Sequence, residues 1–357
     1  MQYNKNVILI NNFVLHQMNQ LIEYLYPHTM ETMRQTMFFL YIRIDKMPLY
    51  MDSYQIRREL YDANSLYEGF DPSDSKTYSR CYDGQAYADY CFHGRRSKDF
   101  QVTLARTLHD HSISEAMHRF LQGYDPGQIV GVMGGHAMLR SEESYRHVAY
   151  ISKHLAEKGK LMVSGGGPGA MEATHLGAWM AGRPDAELDD AIRQLVYEAD
   201  TFRDPDWLGS AFRVMYRYPR GACESLGIPT WLYGHEPATP FATRIAKFYE
   251  NCIREDSILS IAVGGIVFTP GSAGTVQEIF QEAAQDHYVT CGVASPMAFL
   301  GRQFYTEEIP VYPFLEDMAA RGKYKNLMLS ISDNPDDVIW EILSFRPEDS
   351  VSNSNQP

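Results

Sequence analysis

Apolar positions are spaced differently on the two sides of residue 125. From residue 128 onward, short apolar runs alternate with longer segments in which apolar side chains recur every three to four positions, the pattern of strands alternating with amphipathic helices. Residues 129–133 form the first expected strand and run into Gly134-Gly135-His136. A helix over 141–158 carries Tyr145, Val148, Ala149 and Leu155 on one face, and Gly159 stops it. Residues 161–163 make a second strand, a glycine-rich turn fills 164–169, and Met171 begins another helix. A third strand is expected at 230–233. Thr239-Pro240 then reads as an N-cap with proline in the first helical position, opening a helix whose inner face is Ile245, Phe248, Tyr249, Cys252 and Ile253. Residues 265–268 form a fourth strand, followed by a helix buried through Val276, Ile279, Phe280 and Ala283. Strands at 296–300 and 327–330 and helices at 312–320 and 336–343 continue the alternation. The pattern predicts an α/β protein: a Rossmann-like parallel sheet with helices on both faces.

The first 125 residues form a mainly helical region with no strand alternation. Val14, Met18, Leu21, Ile22 and Leu25 share a helical face, and residues 61–90 are polar and rich in tyrosine. Tyr124-Asp125-Pro126-Gly127 marks the expected boundary, giving an N-terminal region over 1–125, a sheet domain over 126–346 and a polar, disordered tail over 347–357. Arg95, Arg96 and Lys98 read as a solvated surface cluster. His109 and His111 lack a third spaced ligand, so no metal site is assigned.

Charge narrows the chemistry. The 357 residues include 32 Lys plus Arg against 45 Asp plus Glu, a net charge of -13 with histidine neutral, which excludes a broad basic face for nucleic acid. An anion site in such a chain has to be small and preorganised. The apolar run over 258–268 is too short to cross a bilayer, and Asn11 and Asn12 interrupt the apolar start at 7–10, so neither a membrane span nor a signal peptide is expected and the chain is read as cytoplasmic. Five scattered cysteines without a Cys-x-x-Cys pair read as reduced packing residues.

Two glycine-rich turns at strand ends carry the chemical signal. Glycine lets successive N–H groups converge on an anion at a helix N-terminus, and phosphate is the natural guest. Neither turn has the Gly-x-Gly-x-x-Gly dinucleotide spacing at the first strand or the lysine of a triphosphate loop, so a mononucleotide fits better than NAD or ATP. Glu278 follows Thr275 at capping-box spacing, which by itself predicts a helix cap. Arg244 falls in the second turn of the helix after Pro240, near the same rim, with Lys247 one turn further.

The segments Gly165-Gly166-Gly167-Pro168-Gly169-Ala170-Met171-Glu172-Ala173 and Pro270-Gly271-Ser272-Ala273-Gly274-Thr275-Val276-Gln277-Glu278, separated by Thr243-Arg244-Ile245-Ala246-Lys247, resemble the LOG family of nucleotide-binding Rossmann-like proteins. That family includes cytokinin riboside 5'-monophosphate phosphoribohydrolases and nucleotide 5'-monophosphate nucleosidases. The similarity spans about residues 128–345 and excludes the first 125. It departs from the family pattern at Ser272, where a glycine is usual, and at Phe241-Ala242, where Met-His is usual.

The resemblance implies hydrolysis of the N-glycosidic bond of a nucleoside 5'-monophosphate, with Glu278 and Arg244 catalytic and Gly271, Ser272, Gly274 and Thr275 holding the phosphate. It places Gly134, Gly135, Gly165, Gly166, Gly167, Gly169, Glu172 and Lys247 around the ribose and base, with no metal and no cofactor. It also implies a homodimer or higher homo-oligomer with the pocket near the contact, an expectation to which 24 Tyr, 17 Phe and 17 Met add apolar material. A nucleotide sensor using the same pocket without turnover is the alternative. A pyridoxal-phosphate decarboxylase is rejected, since no lysine occupies a strand end.

Overall fold

Seven parallel strands lie in the order β4-β3-β2-β1-β5-β6-β7 in a computed structural model that describes residues 56–233 and 236–347. The strands are β1 Ile129–Met133, β2 Leu161–Ser164, β3 Ser225–Gly227, β4 Arg244–Ile245, β5 Ile266–Phe268, β6 Pro296–Leu300 and β7 Met328–Ser332. Central strands β1, β2, β5 and β6 are buried along their whole length, which is why they read as unbroken apolar runs. Register is fixed by pairs such as Gly131↔Val163 on one side of β1 and Gly131↔Ile266 on the other.

Helices cover the sheet. In chain order they are α1 Tyr82–His93, α2 Phe100–Leu121, α3 Glu143–Glu157, α4 Ala170–Trp179, α5 Asp185–Glu198, α6 Trp207–Arg217, α7 Asn251–Ile261, α8 Ala273–Tyr288, α9 Val311–Ala320 and α10 Pro335–Ser344. Tyr145, Val148 and Leu155 of α3 and Leu176 of α4 meet Val130, Val132 and Met162 of the sheet in the main core. The fold is therefore the expected Rossmann-like α/β arrangement.

Three expectations are corrected. The strand expected at 230–233 is instead a tight helical turn, Trp231–Tyr233, and the third strand is Ser225–Gly227. Its Ser225 and Gly227 are small because they pack against other main chain and side chains: Thr243 Oγ1 accepts the Ser225 N–H at 2.8 Å, and a Cβ at Gly227 would press on Ala242 and Gly166. The helix expected from Pro240 does not form there. Residues 244–245 are the edge strand β4, and α7 begins only at Asn251. Burial of Phe241, Ile245, Phe248 and Tyr249, which mimics a helical face, comes from packing on two sides at once.

The third correction concerns the N-terminal boundary. One compact unit runs from Ile56 onward, so packing does not break at residues 124–127. Tyr61 pairs antiparallel with Ile245 at 3.0 and 2.7 Å, closing the open edge of β4. Buried Lys247 is ion-paired with Asp83 at 2.6 Å, and Asp83 also accepts from Trp231 Nε1 at 2.9 Å and Tyr78 at 2.8 Å. Tyr61, Tyr82, His109, Trp231 and Tyr249 stack into one cluster, so part of the aromatic excess is used within the chain. The helical face at residues 14–25 and the tail beyond residue 347 lie outside the described residues. Among the described residues, no helix is long and apolar enough to cross a membrane. All five cysteines are free, but Cys91 and Cys252 are exposed rather than packed.

Candidate functional site

The chain leaves β1 toward β2, β3 and β4 on one side, then returns to place β5 on the other side of β1. Loops leaving the carboxyl ends of β1 and β5 therefore diverge, and a cleft opens between them. It holds about 230 Å³ and is lined by Gly134, Gly135 and His136 after β1, Gly165 after β2, Met171 of α4, Tyr233 and Glu236 after β3, Arg254 and Glu255 of α7, and Ser272, Gly274, Thr275, Gln277 and Glu278 at the start of α8.

The floor is built from main chain. Gly135 N–H donates to Pro270 O at 3.0 Å, and a Cβ at Gly271 would collide with Thr275. Ser272 is the N-cap of α8, with extended backbone at φ -112° and ψ -151°. Serine is tolerated there because no positive φ is required. The first-turn amides of α8 have no partner within the helix, and Ser272, Gly274 and Thr275 present that end to the cleft.

Because Ser272 is the N-cap, Thr275 is the third helical residue and Glu278 lies beyond the capping position. The expected capping box does not form. Among the described residues, the Glu278 carboxylate makes no hydrogen bond or ion pair, while its main chain is part of α8. Burial raises its pKa to about 7, while the Arg254 guanidinium pulls it down and Glu255 pushes it up.

Arg254 is the arginine of the cleft. It sits in the first turn of α7, its Nη2 4.0 Å from Met171 Sδ and its Nη1 3.5 Å from Asn251 Oδ1, and its buried Nε has no partner. No carboxylate pairs with it among the described residues. A Cβ at Gly165 would run into its guanidinium, so glycine at that strand end is what lets the arginine lie across the rim.

Several residues expected at the site are elsewhere. Arg244 lies on β4, where its guanidinium is 2.9 Å from Glu224 and over the Phe120 ring, outside the cleft. Lys247 is consumed by Asp83 and Trp231. Glu172 is fully buried, gripped by Arg140 at 2.9 and 2.5 Å and by Tyr145 at 3.1 Å, and serves the fold. Gly167 lines a side pocket that continues the cleft past Pro229 and Thr230. Gly166 (φ +68°) and Gly169 (φ +67°) shape the turn without lining the cleft, and Gly271 supports it from behind. His109 is buried between Tyr61 and Asp110, at 2.9 Å from each.

Sequence reasoning missed Arg254, Met171 as a lining residue, and the Tyr233, Glu236 and His136 end of the cleft, where His136 Nε2 is 3.6 Å from Glu236. The available signal for Arg254 was its place one helix before β5, since the start of such a helix and the end of the neighbouring strand share one rim.

No protein-family model matches the sequence, and no curated protein matches it. Among solved structures, the chain is similar to the molybdenum cofactor binding protein from the phototrophic bacterium Rippkaea orientalis, at 13% identity over 60% of this chain and 95% of that one, with a TM-score of 0.38. It is also similar to the Moco carrier protein from Chlamydomonas reinhardtii, at 16% identity over 60% of this chain and 97% of that one, with a TM-score of 0.37. Neither likeness bears on what this chain binds.

Proposed function

We propose that the cleft binds a nucleoside 5'-monophosphate and hydrolyses its N-glycosidic bond, as the resemblance to the LOG family implies. One observation carries the reading: Glu278, a carboxylate without a partner among the described residues, and Arg254, an arginine without an ion pair among them, share a cleft with the open N-terminus of α8. The helix end and the Ser272 and Thr275 hydroxyls anchor the phosphate. Phosphate does not react, so neither metal nor cofactor enters the scheme.

Water adds to C1' as the bond from C1' to the base nitrogen breaks, its electron pair leaving with the nitrogen. The products are ribose 5-phosphate and a base anion that then takes up one proton, balancing the one that Glu278 removes from water and returns to solvent. Positive charge builds on the ribose ring in the transition state, and a carboxylate beside C1' stabilises it. Glu278, poised near pH 7, takes the proton from the attacking water. Arg254 holds the substrate and favours negative charge on the departing base. This assigns to Arg254 the role that the sequence motif had assigned to Arg244.

The test is to incubate the protein with a panel of nucleoside 5'-monophosphates and the matching nucleosides, and to assay free base with ribose 5-phosphate. Release from the phosphorylated compounds alone is expected. Tight binding without release supports the sensor alternative, and equal efficiency on nucleosides removes the phosphate anchor. The homo-oligomer belongs to the same proposal and rests on the family resemblance; a one-chain mass by light scattering in an active preparation contradicts it.

A further inference from the structure

Among the described residues Arg254 has no carboxylate partner to hold it, so its position depends on where α7 begins. That start is fixed from outside the sheet. Asp110 of α2, buried, accepts the Tyr249 N–H at 2.9 and 3.1 Å and the Glu250 N–H at 2.9 Å, the two peptides that lead into α7. Glu250 is the N-cap residue and supplies no side-chain bond of its own. The Asp110 charge also faces the positive end of the helix. Asp110 is held in turn: His109 Nδ1 is 2.9 Å from its Oδ1, and His109 Nε2 is 2.9 Å from the Tyr61 hydroxyl. Two residues before Tyr249, the buried Lys247 to Asp83 ion pair ties the same strand of chain to α1.

We propose that Asp110 is a positioning residue for Arg254: by fixing the Tyr249 and Glu250 peptides it sets where the first turn of α7 delivers the guanidinium, which makes helix α2 part of the site. The segment that precedes the sheet thus completes the cleft without touching its ligand. This rests on the proposed function only in taking Arg254 and Glu278 as the working pair.

The experiment is a carbon-13 NMR titration of the Glu278 carboxyl in the substrate-free full-length protein, with the signal assigned by its loss in Glu278→Gln. Arg254→Gln should raise the midpoint, because a neighbouring cation is removed. Asp110→Asn should raise it in the same direction, a several-fold gain in proton affinity, and the double variant should move no further than Arg254→Gln alone. A core variant away from the site, Leu195→Ala, should lower stability and leave the midpoint unchanged. An unmoved midpoint in folded Asp110→Asn overturns the proposal, as does an unmoved midpoint in Arg254→Gln. If Asp110→Asn fails to fold, His109→Gln, which removes the imidazole that holds Asp110 Oδ1, takes its place: a raised midpoint supports the proposal and an unchanged one overturns it. No substrate is present, so failure of base release and failure of positioning are read separately.

Discussion

The guanidinium of Arg254 occupies the space that a Cβ on Gly165 would need. A side chain from the helix before β5 thereby crosses the end of β2, and the N-terminal end of α8 and the Gly165 turn become walls of one cleft. Gly165→Ala should displace the guanidinium and weaken nucleotide affinity by about tenfold, the loss of one charge-assisted hydrogen bond. Calorimetric titration with AMP checks this, and wild-type affinity in a folded Gly165→Ala would refute it.

Glu278→Gln should reduce base release by about 10²- to 10⁴-fold while nucleotide binding persists. The same change should stabilise the protein at alkaline pH. Folded-state burial raises the Glu278 pKa to about 7, above its unfolded value near 4.3, so the carboxylate favours the unfolded chain once pH rises through that window. The gain in Gln at pH 8 is about 3–4 kcal/mol and vanishes below about pH 4. Denaturant midpoints at the two pH values measure it. For the wild type, activity should fall as pH drops below about 7, where the carboxylate is protonated.

The two arginines separate the corrected site from the sequence-based one. Arg254→Gln should cost about 10²-fold in kcat/KM. Arg244→Ala should stay within about twofold, since it loses a half-exposed ion pair with Glu224 and a contact with the Phe120 ring, both outside the cleft. Steady-state assays of both variants decide between the positions.

Further along α8, Glu282 and Asp286 are buried, and each has one carboxylate oxygen without a partner. Burial pushes the Asp286 carboxyl up to about 8, although its Oδ1 accepts the Ser295 N–H at 2.7 Å. Its folded pKa is raised, so its contribution is greatest in acid and is lost as pH rises from about 4 to about 8. Asp286→Asn keeps the acceptor and should raise Tm at pH 8 more than at pH 5. Equal gains at both pH values would contradict this reading.

Much of the fold was legible because β1, β2, β5 and β6 are buried on both faces and end in glycines, leaving short apolar runs with clear stops. Glu278 was legible only through the family resemblance, since its spacing from Thr275 by itself reads as a helix cap; it does line the cleft. The stretch from Ser225 to Tyr249 was not legible. Its strands have three and two residues, too short for a period to emerge, and its buried positions are set by Tyr61, Asp83 and Asp110, which are distant in sequence. Thr239-Pro240 carries a helix-start signal, yet Thr239 N–H donates to Gly166 O at 2.8 Å and ties a loop to the glycine turn. The family motif put the expected arginine at Arg244, near the start of that helix, whereas the arginine that lines the cleft is Arg254.

The most direct measurement is a reaction of the protein with a nucleoside 5'-monophosphate in oxygen-18 water, with products resolved by mass spectrometry. Cleavage at C1' by a water that Glu278 activates predicts one heavy oxygen in ribose 5-phosphate, none in the free base and none in inorganic phosphate. Label in inorganic phosphate, or bound nucleotide that yields no ribose 5-phosphate, would contradict the account.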